Sequence, residues 1–297
     1  MWVNPLGTLK NIFSQAIVYA VEGHENITFF NGQIYPVGDS AWYFYPISFV
    51  WRTSPVVLIG LGLAGMGMVF RNRLGLPAQR TRVVDYLSLY AVLFLVMMSL
   101  GDKKFDRYLL PAHLALDLVA GFGWVVLAET MFIRLSDRIS LGSRRAGVVL
   151  LYSTLILWQL SGVLQTYPYY FNYYNPLLGG SAKAGEVMMI GWGEGLDLAA
   201  DYLNELPSAE KLRVVSWYGN GSLSYNFKGQ TINMEVDMTL DFLQKADYVV
   251  IYVNQIPRQL PSPELLSYFE RLEPVHIVTI GDLEYARIYD MRDHADT

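Results

Sequence analysis

Cysteine is missing from the 297-residue chain, and charged residues are scarce at 16%. Without cysteine there are no disulfides, no thiolate metal sites and no thiol catalysis. A net charge of −5 provides no basic excess for nucleic acid, and the arginines lie between apolar segments rather than along one face. We therefore expect no cysteine chemistry and no nucleic-acid partner.

Recognisable catalytic and cofactor motifs are missing as well. The sequence contains no Ser/His/Asp order, no HExxH and no carboxylate cluster with metal-ligand spacing. The stretches "GWGEG" and "GNG" do not follow the order of strand, glycine-rich turn and helix that a dinucleotide or Walker site requires. We therefore expect no metal and no cofactor.

Apolar residues, in contrast, make up 53% of the chain and are concentrated before about residue 166. They form four runs close to the roughly 20 residues needed to cross a bilayer. The predicted spans are Ile47–Phe70, Val83–Leu100, Leu109–Ile133 and Ala146–Leu164. The sequence thus predicts an α-helical polytopic membrane domain over residues 47–166.

Two short loops that flank these spans are rich in arginine. Such loops face the cytoplasm under the positive-inside rule. The arginines are Arg71, Arg73, Arg80 and Arg82 in one loop and Arg134, Arg138, Arg144 and Arg145 in the other. Four crossings then place residues 1–46, the loop at 101–108 and residues 167–297 outside the cytoplasm. We therefore expect an integral protein of the inner or plasma membrane with an extracytoplasmic C-terminal domain.

The first predicted element is an amphipathic helix over residues 5–22, within the outer loop of residues 1–46. Its apolar residues recur at helical spacing. Asn4 and Pro5 suit its start, and Gly23 suits its end. Such a helix can lie flat in a membrane interface. The alternative is a surface helix on a soluble domain.

Residues 167–297 read as a small α/β domain. Helical patterns occur at Gly195–Leu206 and Pro263–Leu272. Strand patterns occur in "LRVVSWY", "DYVVIYV", "VHIVTI" and "YARIYDM". Helices and strands that alternate in this way pack as helices against a sheet.

The loop "GDKKFDRY" places Lys103, Lys104 and Arg107 on the predicted outer side, where the positive-inside rule does not explain them. The planar fork of arginine and the mobile charge of lysine suit the phosphate of a lipid held at the interface. Alternatively, the loop is solvated and Asp102 and Asp106 offset its cations in pairs that contribute little. The spacing alone leaves both interpretations open.

Three further groups of ionisable residues are candidates. Arg52, at the outer end of the first span, either snorkels or points toward the same anion. His24 and Glu25 either assist acid–base chemistry or acceptor binding, or they are solvated. His113 and Asp117 share one helical face, as a polar pair facing the bundle or as a site.

Four stretches are informative together: "GHENITFFNGQIYPVGDSAWYFYPISFVWRTSP", "DKKFDRYLLPAHLALDL", "YPYYFNYYNPLLGG" and "GWGEGL". They resemble the downstream half of bacterial membrane glycosyltransferases of the GT-C type, related to the protein O-mannosyltransferases and aminoarabinose transferases. The similarity covers most of the chain. Its spans and the "RYLLP" segment are moderately specific, whereas the C-terminal domain is more variable in such proteins.

This resemblance implies transfer of a sugar from a polyprenyl-phosphate donor to a protein, lipid or glycan acceptor on the extracytoplasmic side. The loop at residues 101–108 lies where the family tends to have cations near the lipid phosphate. Arg52 lies where many relatives have a Lys before "TP". The residues that would bind the phosphate are Lys103, Lys104, Arg107, Tyr108 and Arg52. The resemblance also equates residues 5–22 with an interfacial helix of the family.

The family's catalytic aspartate lies in a first extracytoplasmic loop that has no counterpart in this sequence. We therefore expect a fragment of a longer enzyme, a split reading frame with a separately encoded N-terminal half, or a non-catalytic remnant. A second hypothesis is a non-catalytic membrane-anchored protein that displays the α/β domain for partners or surface glycans. A transporter is a third hypothesis, although few intramembrane charges leave little room for a pathway.

Overall fold

The computed structural model describes residues 4–22, 24–134 and 140–292. Three to four long apolar helices in the N-terminal part are followed by a mixed five-stranded α/β region, as the sequence predicts. The chain divides into two compact units. The helical unit comprises Met1–Thr28, Tyr35–Tyr167 and Tyr173–Gly180, and the α/β unit comprises Phe29–Ile34, Pro168–Asn172 and Ser181–Thr297.

Helix α1 spans Pro5–Glu22, as its hydrophobic pattern predicts. Asn4 caps it, because its Oδ1 accepts a hydrogen bond of 2.9 Å from the backbone N–H of Gly7. Gly23, expected at the C-terminal end, lies outside the described residues. None of the described side chains of α1 is buried, so its apolar stripe lies open. The exposed apolar residues include Leu6, Ile12, Phe13 and Ile17.

A short hairpin follows, with β1 at Thr28–Phe30 and β2 at Gln33–Tyr35. Asn31 and Gly32 connect the strands with φ of 51° and 75°. Positive φ at both central residues is the type I′ geometry that an Asn-Gly pair favours. Phe30 also forms a β-bridge with Met188 of the α/β unit.

The predicted span Ile47–Phe70 is not one continuous helix. The chain instead forms α2 over Phe44–Arg52 and α3 over Pro55–Val69, which are bent by 114° relative to each other. A proline disfavours helical backbone in the residue before it, and Ser54 accordingly has an extended ψ of 152° and caps α3 with its hydroxyl. Helix α3 alone is about 22 Å long, which is shorter than a hydrocarbon core.

The other three predicted spans are confirmed as helices long and apolar enough to cross a membrane, and the bent α2–α3 pair would make four. The helices are α4 at Arg71–Leu74, α5 at Ala78–Ser99, α6 at Leu110–Ala128 and α7 at Leu141–Thr166. A 3₁₀ turn at Asp106–Leu109 precedes α6, and a π-helical turn at Glu129–Arg134 follows it. Arg138, which contributes to the second predicted cytoplasmic loop, lies outside the described residues.

Helices α3 and α6 cross at small residues. A Cβ atom added to Gly123 would lie 2.0 Å from the carbonyl oxygen of Gly60, so the two backbones are in direct contact. Ala120 is also buried at this crossing, and the indole N–H of Trp124 donates a hydrogen bond of 3.0 Å to the carbonyl of Val56. Small residues that allow close backbone approach are typical of helix pairs in membranes.

The sheet of the α/β unit has the strand order β4-β3-β5-β7-β6. Strand β3 is parallel to β4 and β5, whereas β7 is antiparallel to β5 and β6. The strands are β3 at Arg213–Ser216, β4 at Gln230–Asn233, β5 at Tyr248–Tyr252, β6 at His276–Ile280 and β7 at Leu283–Asp290. All four predicted strands are confirmed, and the edge strand β4 was not predicted.

Helices cover both faces of this sheet. The predicted helices are confirmed as α9 and α12. The helices are α8 at Gly180–Ala184, α9 at Leu196–Asn204, α10 at Ser224–Asn226, α11 at Leu240–Leu243 and α12 at Pro263–Glu270. On one face Val215 and Val249 pack with Leu243 of α11 and Phe269 of α12. Alternate strand residues therefore face the opposite side, where α9 lies against β6 and β7.

Candidate functional site

Arg52, at the end of α2, forms a nearly buried ion pair with Asp106, which precedes α6. Its Nε donates to Asp106 Oδ2 at 2.7 Å, and its Nη1 donates to the carbonyl of Tyr173 at 3.1 Å. The guanidinium also lies 4.1 Å from the ring centroid of Tyr174. The two side chains of the ion pair are only 12% and 4% exposed. The charge of Arg52 is thus compensated inside the protein, and the pair ties α2 to the loop before α6.

Lys104 is buried and holds the same loop in place through two contacts. Its Nζ donates to the carbonyl of Ala41 at 3.1 Å, and its backbone N–H donates to His24 Nε2 at 3.0 Å. Burial lowers the pKa of the Lys104 ammonium, while the nearby carboxylates of Asp102 and Asp39 act in the opposite direction.

His24 and Glu25 have different environments, although they are neighbours in sequence. His24 is buried and packs edge-to-face on Phe105 at 4.9 Å, so it is not the solvated loop residue that one alternative described. Glu25 has an 84% exposed side chain, and its Oε1 lies 3.8 Å from Nζ of Lys103. His24 therefore supports the fold of the loop, and Glu25 lies beside one of its cations.

Arg107 is the exposed cation of the loop. Its guanidinium lies 4.1 Å from the ring centroid of Phe105 and 5.6 Å from that of Tyr108. Cation–π contacts of this kind hold a guanidinium over a ring. The backbone N–H of Arg107 donates to Oδ1 of Asp106 at 2.9 Å, which fixes the turn that begins the helix.

The face of α2 that carries Arg52 is polar and buried. Tyr45 and Ser48 are both fully buried on it, and the Ser48 hydroxyl has no hydrogen-bond partner among the residues described. His113 stacks on Phe49 of the same helix, with centroids 5.0 Å apart and rings inclined by 26°. Sequence reasoning missed Tyr45 and Ser48, although they precede Arg52 by seven and four residues, spacings that place all three on one helical face.

A second polar cluster, which the sequence did not predict, lies in the α/β unit where β5 ends. The buried Tyr252 hydroxyl accepts a hydrogen bond of 2.9 Å from the Gly193 N–H and donates one of 2.8 Å to the Glu194 carbonyl. Burial raises the pKa of this phenol well above its usual value. Gly191 and Gly193 have φ of +90° and +111°, and a Cβ atom on Gly191 would lie 2.6 Å from Val253.

Asn254 connects this cluster to the loop that follows β3. Its Nδ2 donates to the carbonyl of Gly191 and to the Tyr218 hydroxyl, each at 3.0 Å. Arg258, one turn further along the chain, donates from Nε to the Asn254 carbonyl at 2.7 Å and from Nη2 to Asn254 Oδ1 at 3.0 Å. The loops after β3 and β5 and the glycine-rich loop before α9 therefore form one polar assembly.

Metal ligation finds no support in the parts of the chain that the structure describes. In residues 4–22, 24–134 and 140–292, no three His, Cys, Asp or Glu side chains come close enough together to hold an ion. A comparison with protein-family models, with curated proteins and with solved structures finds no match to this chain.

Proposed function

We propose that this chain is the donor-binding part of an integral-membrane glycosyltransferase that uses a polyprenyl-phosphate sugar. The observation that carries the proposal is the exposed Arg107, held over Phe105 and Tyr108 at the start of an apolar helix. A cation at the end of a spanning helix lies at the depth of lipid headgroups. An anion there also benefits from the positive end of the helix dipole.

The five residues expected at this site, which are four cations and one tyrosine, would have two different roles. Arg107 and Lys103, with the Tyr108 hydroxyl, would contact the lipid phosphate. Arg52 and Lys104 would shape the site, because Arg52 is paired with Asp106 and Lys104 donates to a backbone carbonyl. In this proposal the loop supplies two contacting cations on a platform fixed by two buried ones.

In the proposed reaction the bond between the sugar C1 and the donor phosphate oxygen breaks as an acceptor oxygen bonds to C1. The electron pair of the broken bond leaves on the polyprenyl phosphate, and the acceptor proton passes to a carboxylate. The resemblance assigns that carboxylate to a segment outside this sequence. The two cations would stabilise the negative charge that grows on the departing phosphate.

Binding of the donor lipid, rather than turnover, is therefore the property to measure. The full chain in lipid nanodiscs is titrated with a short-chain polyprenyl phosphate, and Arg107→Ala and Lys103→Ala are compared with it. We expect each change to weaken binding about tenfold or more, because a charge-assisted hydrogen bond contributes about 1.5–3 kcal/mol. Arg82→Ala removes another exposed arginine, from a predicted cytoplasmic loop, and should leave binding unchanged.

Unchanged binding in both loop variants would remove the basis of the proposal. A dodecyl phosphate titration with the same variants separates recognition of the phosphate from recognition of the isoprenoid. Arg107→Ala and Lys103→Ala should lose affinity for both lipids, since both lipids carry the phosphate that these residues would bind.

The second candidate function, a membrane-anchored display of the α/β unit, is favoured by the polar assembly around Asn254. Its partner would bind the α/β unit and would not need the loop at residues 101–108. A partner whose binding survives the triple replacement of Lys103, Lys104 and Arg107 by Ala would favour this candidate.

A further inference from the structure

We propose that Arg258 forms a binding site for an oxyanion between the carboxyl ends of β3 and β5. The ligand would be a carboxylate or a phosphate group on a glycan or lipid. This inference does not depend on the lipid-phosphate proposal, because it concerns the α/β unit alone.

The topology of the sheet predicts a crevice at this position. From β3 the chain leaves toward β4 on one side, and from β5 it leaves in the opposite direction toward β6 at the other edge of the sheet. Connections that leave in opposite directions open a gap beyond the carboxyl ends of two parallel neighbours, and ligands of open α/β sheets bind there. The loops that flank this gap begin at Trp217 and at Val253.

Arg258 lies in the second of these loops and is only 5% exposed. Its guanidinium is held on one side by the carbonyl and amide oxygens of Asn254, at 2.7 and 3.0 Å. On another side it lies 5.0 Å from the ring centroid of Trp217. The guanidinium therefore links the two loops of the crevice in a fixed orientation.

The charge of Arg258 has no carboxylate partner in the part of the chain that the structure describes. Among residues 4–22, 24–134 and 140–292, no carboxylate oxygen lies within 4.0 Å of its guanidinium. Burial lowers the pKa of the guanidinium to about 10, with Tyr218 acting in the opposite direction. A buried charge is unfavourable unless an opposite charge compensates it. Arg52, the other nearly buried arginine described above, has such a partner in Asp106.

The hydrogen bonds that Arg258 already makes define the ligand. Nε and one Nη2 hydrogen are used by Asn254, while Nη1 makes no hydrogen bond with any residue that the structure describes. The terminal edge formed by Nη1 and Nη2 is therefore available, and it matches two oxygens of a carboxylate or phosphate. A second polar atom without a described partner, the Ser216 hydroxyl, lies at the end of β3.

The test uses the full chain in nanodiscs and two probes, inorganic phosphate and glucuronate. Each probe is titrated at constant ionic strength maintained with sodium chloride, and the binding isotherm and the unfolding temperature are recorded. We expect at least one probe to bind and to raise the unfolding temperature relative to chloride. Arg258→Gln and Arg258→Lys should weaken that binding about tenfold or more. Lysine keeps the charge but loses the two-pronged edge.

The controls separate this site from the membrane loop. Arg271→Gln removes an exposed arginine of the same unit and should leave the probe affinity unchanged. Arg107→Ala should also leave the probe affinity unchanged, while Arg258→Gln should leave the affinity for polyprenyl phosphate unchanged. A phosphate response that disappears in Arg107→Ala and persists in Arg258→Lys would overturn the inference. The inference would also be overturned if the wild-type chain responded to phosphate and glucuronate no more than to chloride. This outcome does not depend on whether any variant folds.

Discussion

The buried pair of Arg52 and Asp106 is the residue-scale feature with the clearest energetic consequence. Removing one member of a buried pair leaves the other charge without compensation, which destabilises a protein by about 3–5 kcal/mol. We therefore expect Arg52→Met to lower the stability of the full chain strongly in detergent-based unfolding. The double change Arg52→Met with Asp106→Asn should recover much of the loss, because it removes the uncompensated carboxylate.

An exposed pair in the same unit provides the matched comparison. Arg71 Nη1 lies 3.7 Å from Asp85 Oδ2, and both side chains are about half exposed, at 51% and 53%. Exposed pairs contribute only about 0–1 kcal/mol, so Arg71→Met should have little effect. Equal losses from Arg71→Met and Arg52→Met would show that burial does not determine the strength of the Arg52 pair.

The sequence identified Arg52 and the charges of the loop but not which residues pair. Arg52 and Asp106 are 54 positions apart, and Tyr173 is 121 positions from Arg52. Such contacts depend on how the helices pack, which neither periodicity nor spacing encodes. Arg258 was missed for a related reason: it lies in the loop "NQIPRQLP", which has no motif, and only strand order places that loop where connections of the sheet diverge.

At the scale of elements, the crossing of α3 and α6 depends on glycine at one position and not at its neighbour. A Cβ atom on Gly123 would lie 2.0 Å from a backbone oxygen, whereas a Cβ atom on Gly121 of the same helix would meet nothing within 4 Å. We expect Gly123→Ala to destabilise the helical unit by about 1–3 kcal/mol through overpacking. Gly121→Ala should be neutral or slightly stabilising, because alanine favours the helix by about 1 kcal/mol.

Unfolding of the full chain in detergent, followed by tryptophan fluorescence, compares the two alanine variants directly. The same substitution on the same helix gives both variants an equal gain in helix propensity. A difference between them therefore reports the close contact alone, and equal stabilities would mean that α3 and α6 do not approach this closely.

Elements were predictable where a long periodic pattern was present and were missed where local chemistry interrupted one. The spans α5, α6 and α7 follow from their apolar runs, and α1 follows from its apolar stripe and its Asn4 cap. The break before Pro55 was missed because the apolar run continues through it, although the residue before a proline is rarely helical. Strand β4 was missed because "QTIN" is short, polar and at the edge of the sheet.

At the scale of the whole molecule, the β1–β2 hairpin constrains the path of the chain through a membrane. Residues Phe29–Ile34 belong to the α/β unit, and the Asn31 N–H donates a hydrogen bond to the Val187 carbonyl. We expect this unit, which contains none of the candidate spans, to lie on one side of a bilayer. The helices α5, α6 and α7 separate the loop before α5 from the C-terminal part of that unit. If all three helices cross the membrane, we expect that loop and the strands after α7 to lie on opposite sides.

Under that condition we expect the bent pair α2–α3 to cross the membrane once, since it is the connection between the hairpin and the loop before α5. A re-entrant path would return residues 70–78 to the side of the hairpin, which three later crossings exclude. Although its two helices are bent by 114°, the pair is therefore expected to act as a broken span. The crossing by α2–α3 is expected whichever side faces the cytoplasm, and the arginine-rich loops predict that side.

The absence of cysteine makes the expected topology directly measurable. Single cysteines at the exposed positions Gln33, Gln79 and Ser267 report the hairpin, the loop before α5 and the α/β unit. With a membrane-impermeant maleimide on intact cells of a Gram-negative host made permeable in the outer membrane, Gln33→Cys and Ser267→Cys should be labelled. Gln79→Cys should be labelled only after the inner membrane is opened, and the wild-type chain should give no signal. If Gln33→Cys instead behaves like Gln79→Cys, α2–α3 is re-entrant and the hairpin cannot pack in the α/β unit while all three later helices cross.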